Sequence, residues 1–241
     1  SGNASPALLI RQTLRVTLPS EKPVPATDRQ IDAVIFDFGG VLASNGRPSD
    51  VIKRFPNDPP DKVLKVMMGD YGQDTDHPWH RLERGEITMS QYRTDLGALV
   101  LEAGLQPIQL PPDTGKSTFI GITFEPCEPI ITLVHELKTA GFRLGVLTNN
   151  VRELRSVWWP MMDFKNIFDD VVDSHEVGMR KPNPVIYRLA LERLGAVAER
   201  TAFLDDAQSN VDAANAVGLH GVWVEEDPTS AVRTLRSLAG L

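Results

Sequence analysis

The stretch DAVIFDFGGVLAS (residues 32–44) decides how the fold is read. Ala33 to Phe36 is a short apolar run that ends on Asp37, and Gly39 and Gly40 follow almost at once. A carboxylate at the tip of a hydrophobic strand is either used there or merely tolerated. Two glycines beyond it let backbone, rather than side chain, approach something closely.

The same punctuation returns downstream. "PIITLVHELKTAG" places Ile130, Leu133, Val134 and Leu137 at helical spacing and stops at Gly141. "FRLGVLTNN" reads as a buried strand ending in polar residues, "FDDVVDSHEVG" as a shorter strand, and "TAFLDD" as an apolar strand closing on acids. "NPVIYRLALERLG", "AQSNVDAANAVG" and "PTSAVRTLRSLAG" read as amphipathic helices, with "HGVWVEE" as a last strand. Strands alternating with helices predict an α/β fold, a Rossmann-like, mostly parallel sheet with helices on both faces. Ligands then bind beyond the carboxyl ends of the strands, where Asp37, Thr148-Asn149-Asn150 and Asp205-Asp206 fall.

Residues 46–124 break this alternation with helical patterns ("PDKVLKVMMGD", "TMSQYRTDLGALVLEAGL") and Pro-rich loops. The expected organisation is an N-terminal extension (1–30), an α/β core (31–45 and 125–241) and a helical cap inserted after the first strand (46–124). The extension is expected to dock on the body or on a second subunit, which leaves room for a homodimer.

Composition narrows the function. The 241 residues are 41% hydrophobic and 24% charged, an ordinary globular balance. With 25 basic and 32 acidic residues the net charge is −7, which gives nucleic acid no basic face to bind. One cysteine, Cys127, excludes an internal disulfide framework, and its side chain reads as a packed small residue in a reducing compartment. No apolar run approaches the ~20 residues of a membrane span. Ala7 to Ile10 is too short for a secretory core. A cytoplasmic protein with no membrane partner is the expectation.

Asp37, Thr148, Lys181 in "GMRKPNP" and Asp205-Asp206 occur in an order and context that resemble the haloacid dehalogenase superfamily. The resemblance runs from residue 31 to 241. It is nearest to the branch holding glucose-1-phosphate phosphatases and the N-terminal phosphatase domain of soluble epoxide hydrolase, which carry strings similar to "FDFGGVL", "LERGEIT", "GMRKPNPVIY" and "FLDDAQSNVDAANAVG". It implies a magnesium-dependent hydrolase acting on a small phosphorylated metabolite. Asp37 would attack phosphorus and form an aspartyl-phosphate, dividing one difficult hydrolysis into two easier steps. Magnesium would be held by Asp37, the Gly39 carbonyl and Asp206, with Asp205 binding through water or orienting that ligand. Thr148 would donate its hydroxyl and Asn149 its amide hydrogen to a phosphoryl oxygen. Lys181 supplies a point charge suited to phosphate and to two adjacent carboxylates, and Asn210 supports the acidic loop.

Many members carry a second aspartate two residues after the nucleophile, as general acid for the leaving group. Here that position is Gly39. The metal contact survives this departure because it uses backbone; the acid does not. Such assistance is worth ~10²–10⁴ in rate. The departure therefore favours acyl, aryl or anomeric phosphates, or a donor from the cap, with Asp74, Asp76, His80 and Glu83 as candidates.

Two other readings stand beside this one. A catalytically quiet binding or assembly module would keep the core alone. Haloacid dehalogenation uses the nucleophile on carbon without metal, but its last motif lacks paired acids. Phosphonoacetaldehyde-type chemistry needs a cap lysine; Lys53, Lys62 and Lys65 read as a solvated helix face. "TGKST" (114–118) lacks the leading glycine of a phosphate-binding loop, with Leu110 in its place. "DTDHPWH" (74–80) reads as a cap loop rather than a zinc site. Trp79 and His80 are the expected specificity residues, and the tryptophans of "VWWP" (157–160) are expected to pack.

Overall fold

The computed structural model describes residues 29–45, 48–106 and 124–241. The expected "TGKST" loop and nearly all of the expected N-terminal extension lie outside them.

Five strands form one parallel sheet: β1 (Ala33–Phe36), β2 (Arg143–Thr148), β3 (Asp170–Asp173), β4 (Thr201–Asp205) and β5 (His220–Trp223). Their order is β3-β2-β1-β4-β5. Every residue of β1 and β4 is buried, as strands covered on both faces require. Alternate side chains of β1 enter opposite cores. Val34 and Phe36 join Leu144, Val146 and Leu204 beneath α4 (Glu128–Thr139) and α10 (Thr229–Ala239). Ala33 and Ile35 join Phe203 beneath α8 (Pro184–Leu194) and α9 (Gln208–Val217). Gly221 admits α9 closely, since a Cβ there would stand 2.9 Å from the Val211 carbonyl oxygen.

β3 is shorter than "FDDVVDSHEVG" suggests. It stops at Asp173, and α7 (Ser174–Val177) begins at once. The reason is polar: Asp173 takes hydrogen bonds from Arg155 (3.1 Å) and pairs with His175 (2.7 Å), so its side chain is tied locally. Between β2 and β3 run α5 (Arg155–Trp158) and α6 (Phe164–Ile167). Trp158 is fully buried and Trp159 stacks on Phe164 at 5.0 Å, so both tryptophans pack as expected.

The chain leaves and rejoins the core along one seam. Ser44 N–H donates to Glu125 O (2.8 Å), and Cys127 N–H to Leu42 O (2.9 Å). This seam supports reading the residues between as a single insert. The insert is helical: α1 (Pro60–Met68), α2 (Pro78–Glu83) and α3 (Met89–Ala103). α3 opens on a reciprocal capping box, Thr88 with Gln91, and closes at left-handed Gly104. α2 corrects the reading of "DTDHPWH" as loop throughout: His77 caps the helix through Trp79 N–H, and Pro78 sits in the first turn, where a missing N–H costs nothing. Val51, Phe55, Val63, Met67, Met68 and Leu105 give the insert its own small core. At the N-terminal edge, Gln30 N–H donates to Leu238 O (3.0 Å) and Arg29 lies 4.5 Å over the Phe142 ring. Among the described residues no helix is long and apolar enough to cross a membrane.

His80 is sealed inside the cap, where Nδ1 accepts from Thr75 N–H at 3.0 Å. Burial, followed by Arg180 and His77, holds its pKa down at about 4 against an ordinary 6.5. The folded protein thus favours neutral imidazole, and the stabilisation is complete above pH 6.5 and lost as pH falls toward 4. At pH 5 the loss from this group is about 2 kcal/mol. His80→Gln should flatten the fall in melting temperature between pH 6.5 and 5 relative to the natural chain; parallel pH curves would contradict the assignment.

Candidate active site

The strand order reverses between β1 and β4, the crevice where open α/β sheets place their ligands. Phe36 lies in register with Leu204, so Asp37 and Asp205 emerge side by side at the carboxyl end of the sheet. Asp206 joins them: carboxylate oxygens of Asp37, Asp205 and Asp206 all fall within 4.8 Å of one another. Hard oxygen donors so grouped suit a small divalent cation such as magnesium.

Lys181 is fully buried and lies between two of these acids. Its Nζ is 2.9 Å from Asp37 Oδ1 and 2.6 Å from Asp205 Oδ2. Burial pushes the Asp37 carboxyl up to about 7; Lys181 opposes this and Asp205 adds to it. Burial likewise works against the Lys181 ammonium, but the two carboxylates outweigh it and hold the group protonated. Asp205 has both oxygens engaged, by Lys181, by the Ala207 N–H (2.8 Å) and by Asn210 Nδ2 (3.1 and 3.2 Å). It belongs to the cluster by distance, yet its bonding makes it the holder of the lysine. Asn210 stands under the acidic loop as the sequence suggests. Asp206 is partly exposed, and its backbone carbonyl accepts from Trp223 Nε1 at 2.9 Å.

Thr148 ends β2, almost wholly buried at the same edge. The Asn149 side-chain amide donates to Lys181 O (3.0 Å) and accepts from Lys181 N–H (2.8 Å), which fixes the lysine's backbone. Gly39 is partly exposed in the turn after Asp37, whose Oδ1 accepts from Phe38 N–H at 2.7 Å.

The expected specificity pair is not presented to this crevice. His80 has no exposure, and Trp79 packs between the cap cluster and the main core, edge-on to Tyr92 at 5.4 Å. The cap instead reaches the core beside the site through Glu83, one of the candidate donors, and its partners there, Arg180 and Ser174, are residues the sequence did not single out. Arg180, fully buried, donates from Nε to Glu83 Oε2 at 2.6 Å and from Nη1 to the Gln73 carbonyl. Ser174 Oγ donates to Glu83 O (2.6 Å) and accepts from Asn150 N–H (2.9 Å). Gly85 (φ +69°) abuts His175 so closely that a Cβ would lie 2.6 Å from its carbonyl oxygen. The one signal in the sequence was position: Arg180 adjoins Lys181, and any residue beside a site lysine shares its surroundings.

Residues 31–218 match the haloacid dehalogenase-like hydrolase family, and the chain belongs to it. Acyl-CoA dehydrogenase family member 10 of Mus musculus is 32% identical over 88% of this chain, which spans only 19% of that protein's length. Sesquiterpene phosphatase astK of Aspergillus oryzae is 29% identical over 86% of this chain and 96% of its own. Two solved structures share the fold: L-2-haloacid dehalogenase RSc1362 (TM-score 0.60, 16% identity, 86% of this chain and 99% of that one), and a Bacteroides thetaiotaomicron family enzyme in complex with magnesium and inorganic phosphate (TM-score 0.52, 18% identity, 82% and 96%).

Removing one partner of a buried ionic group leaves an uncompensated charge. Lys181→Met should therefore cost about 3–5 kcal/mol in urea unfolding without added metal. Adding Asp205→Asn should recover part of it. A loss under about 1 kcal/mol would show that the acids stay neutral in the fold.

Proposed function

We propose that this hydrolase is a magnesium-dependent phosphatase of a small phosphorylated metabolite, working through an aspartyl-phosphate on Asp37. The charge balance carries the reading. Three clustered carboxylates face one buried ammonium, so with all three ionised two negative charges are left over, the amount a divalent cation offsets. A dehalogenase working without metal gains nothing from that surplus. Relatives named as sesquiterpene, glyceraldehyde 3-phosphate and phosphoserine phosphatases support the same direction.

Asp37 and Asp206, with the Gly39 carbonyl, would hold the cation. Bound there, magnesium would draw charge from a phosphoryl group and favour ionised Asp37. Lys181 holds Asp37 in one orientation and offers its ammonium to phosphoryl oxygens. Thr148 donates its hydroxyl to the same oxygens, and Asn149 keeps Lys181 in place. Attack by an Asp37 oxygen forms the acyl phosphate as the P–O bond to the leaving group breaks, and water then restores the carboxylate.

The test is phosphate release from sugar, acyl, aryl and nucleotide monophosphates, with magnesium or chelator. Turnover should require the metal, and Asp37→Asn should lower it by ~10³ or more. Phosphate release that survives both changes, or halide release without metal, would overturn the reading.

A further inference from the structure

A departing alkoxide needs a hydrogen-bond donor, and Gly39 offers no side chain. The acids of the cap do not fill the gap. Asp74 is held by Arg84 and by Asn183 Nδ2 (3.3 Å), Glu83 by Arg180, and the Asp76 side chain is 94% exposed. His80 is sealed.

The cap loop after α1 forms a roof over the start of α9, the helix that follows the acidic pair. Gly72 sits on Ser209, in the first turn of the helix that follows Asp205-Asp206; a Cβ there would be 3.4 Å from Ser209 Cβ. Gln73 O accepts from Arg180, and Asp74 from Asn183. Tyr71 lies within this roof, half-buried, its ring 5.1 Å from the Arg180 guanidinium carbon. Arg180 is itself clamped by Glu83 and precedes Lys181. The Tyr71 hydroxyl has no hydrogen-bond partner among the described residues, so its donor is uncommitted while its ring is held.

We infer that Tyr71 is the leaving-group donor: its hydroxyl hydrogen-bonds the departing oxygen from the cap side, in place of the side chain that Gly39 lacks. This rests on the phosphatase reading. As Asp37 bonds to phosphorus, the P–O bond breaks and its electron pair goes to the leaving oxygen. Tyr71 stabilises that charge and keeps its own proton. Water supplies the proton that completes the alcohol, and the hydroxide so formed cleaves the acyl phosphate, giving Asp37 carboxylate and hydrogen phosphate. Burial, followed by Glu83 and against the pull of Arg180, raises the phenol above its usual range, so it is protonated at neutral pH as any phenol is.

The experiment compares Tyr71→Phe with the natural chain on 4-nitrophenyl phosphate and on an alkyl monophosphate. Nitrophenolate departs with little help and an alkoxide does not. Phenylalanine keeps the ring against Arg180. Loss of one such donor costs ~10² in rate, so kcat/KM on the alkyl ester should fall by about that factor while the nitrophenyl ester is hydrolysed nearly as before. Equal losses on both esters would reduce Tyr71 to a packing residue and overturn the inference, as would no loss on either. A natural enzyme confined to the aryl ester would overturn it too. A natural enzyme that releases phosphate from neither ester overturns the phosphatase reading and this inference together.

Discussion

An ammonium group with no exposure to water sits between two carboxylates at the carboxyl ends of β1 and β4, and much of the site's construction serves to keep it there. Burying a charge is costly unless partners surround it. Lys181 has Asp37 and Asp205. Asp205 in turn is held by Asn210 and the Ala207 N–H, and the lysine's own backbone by the Asn149 side chain. The result is an Asp37 carboxylate oriented before any ligand arrives.

A second buried ion pair ties the cap to that core. Glu83 belongs to α2 and Arg180 to the loop that delivers Lys181, and neither meets solvent appreciably. Burial pushes the Glu83 carboxyl up against the pull of Arg180, so the pair depends on its geometry being kept. Ser174, Gly85 and His175 add a second point of attachment on the same side. The cap is therefore registered on the core at the residue next to the site lysine.

Much of this was legible along the chain. Asp37 and Asp205 announce themselves because each closes a wholly apolar run, and a strand's end in a parallel sheet is a place, not just a spacing. Lys181 was legible through its motif, and Asn210 through its position one turn into α9. The place of Asn149 beside Thr148 was legible too, but not that its side chain is engaged by the backbone of a residue far off in sequence. Trp79 and His80 close the stretch "DTDHPWH" (74–80), which was read as loop throughout; from Pro78 it is helix, and that helix carries His80 inward.

The sequence by itself determined the layered α/β architecture, the strand that ends on Asp37, the acidic pair and the helical pattern of the insert, since these follow from local periodicity and from which residue ends each run. Tertiary structure alone decided which polar groups are spent on one another. Hydrogen bonds such as Asn149 to Lys181 and Arg180 to Glu83 join residues far apart in the chain, and no local pattern encodes them. It also decided that Tyr71, unremarkable among its neighbours in sequence, packs its ring against Arg180 beside Lys181, because that depends on where the cap comes to rest.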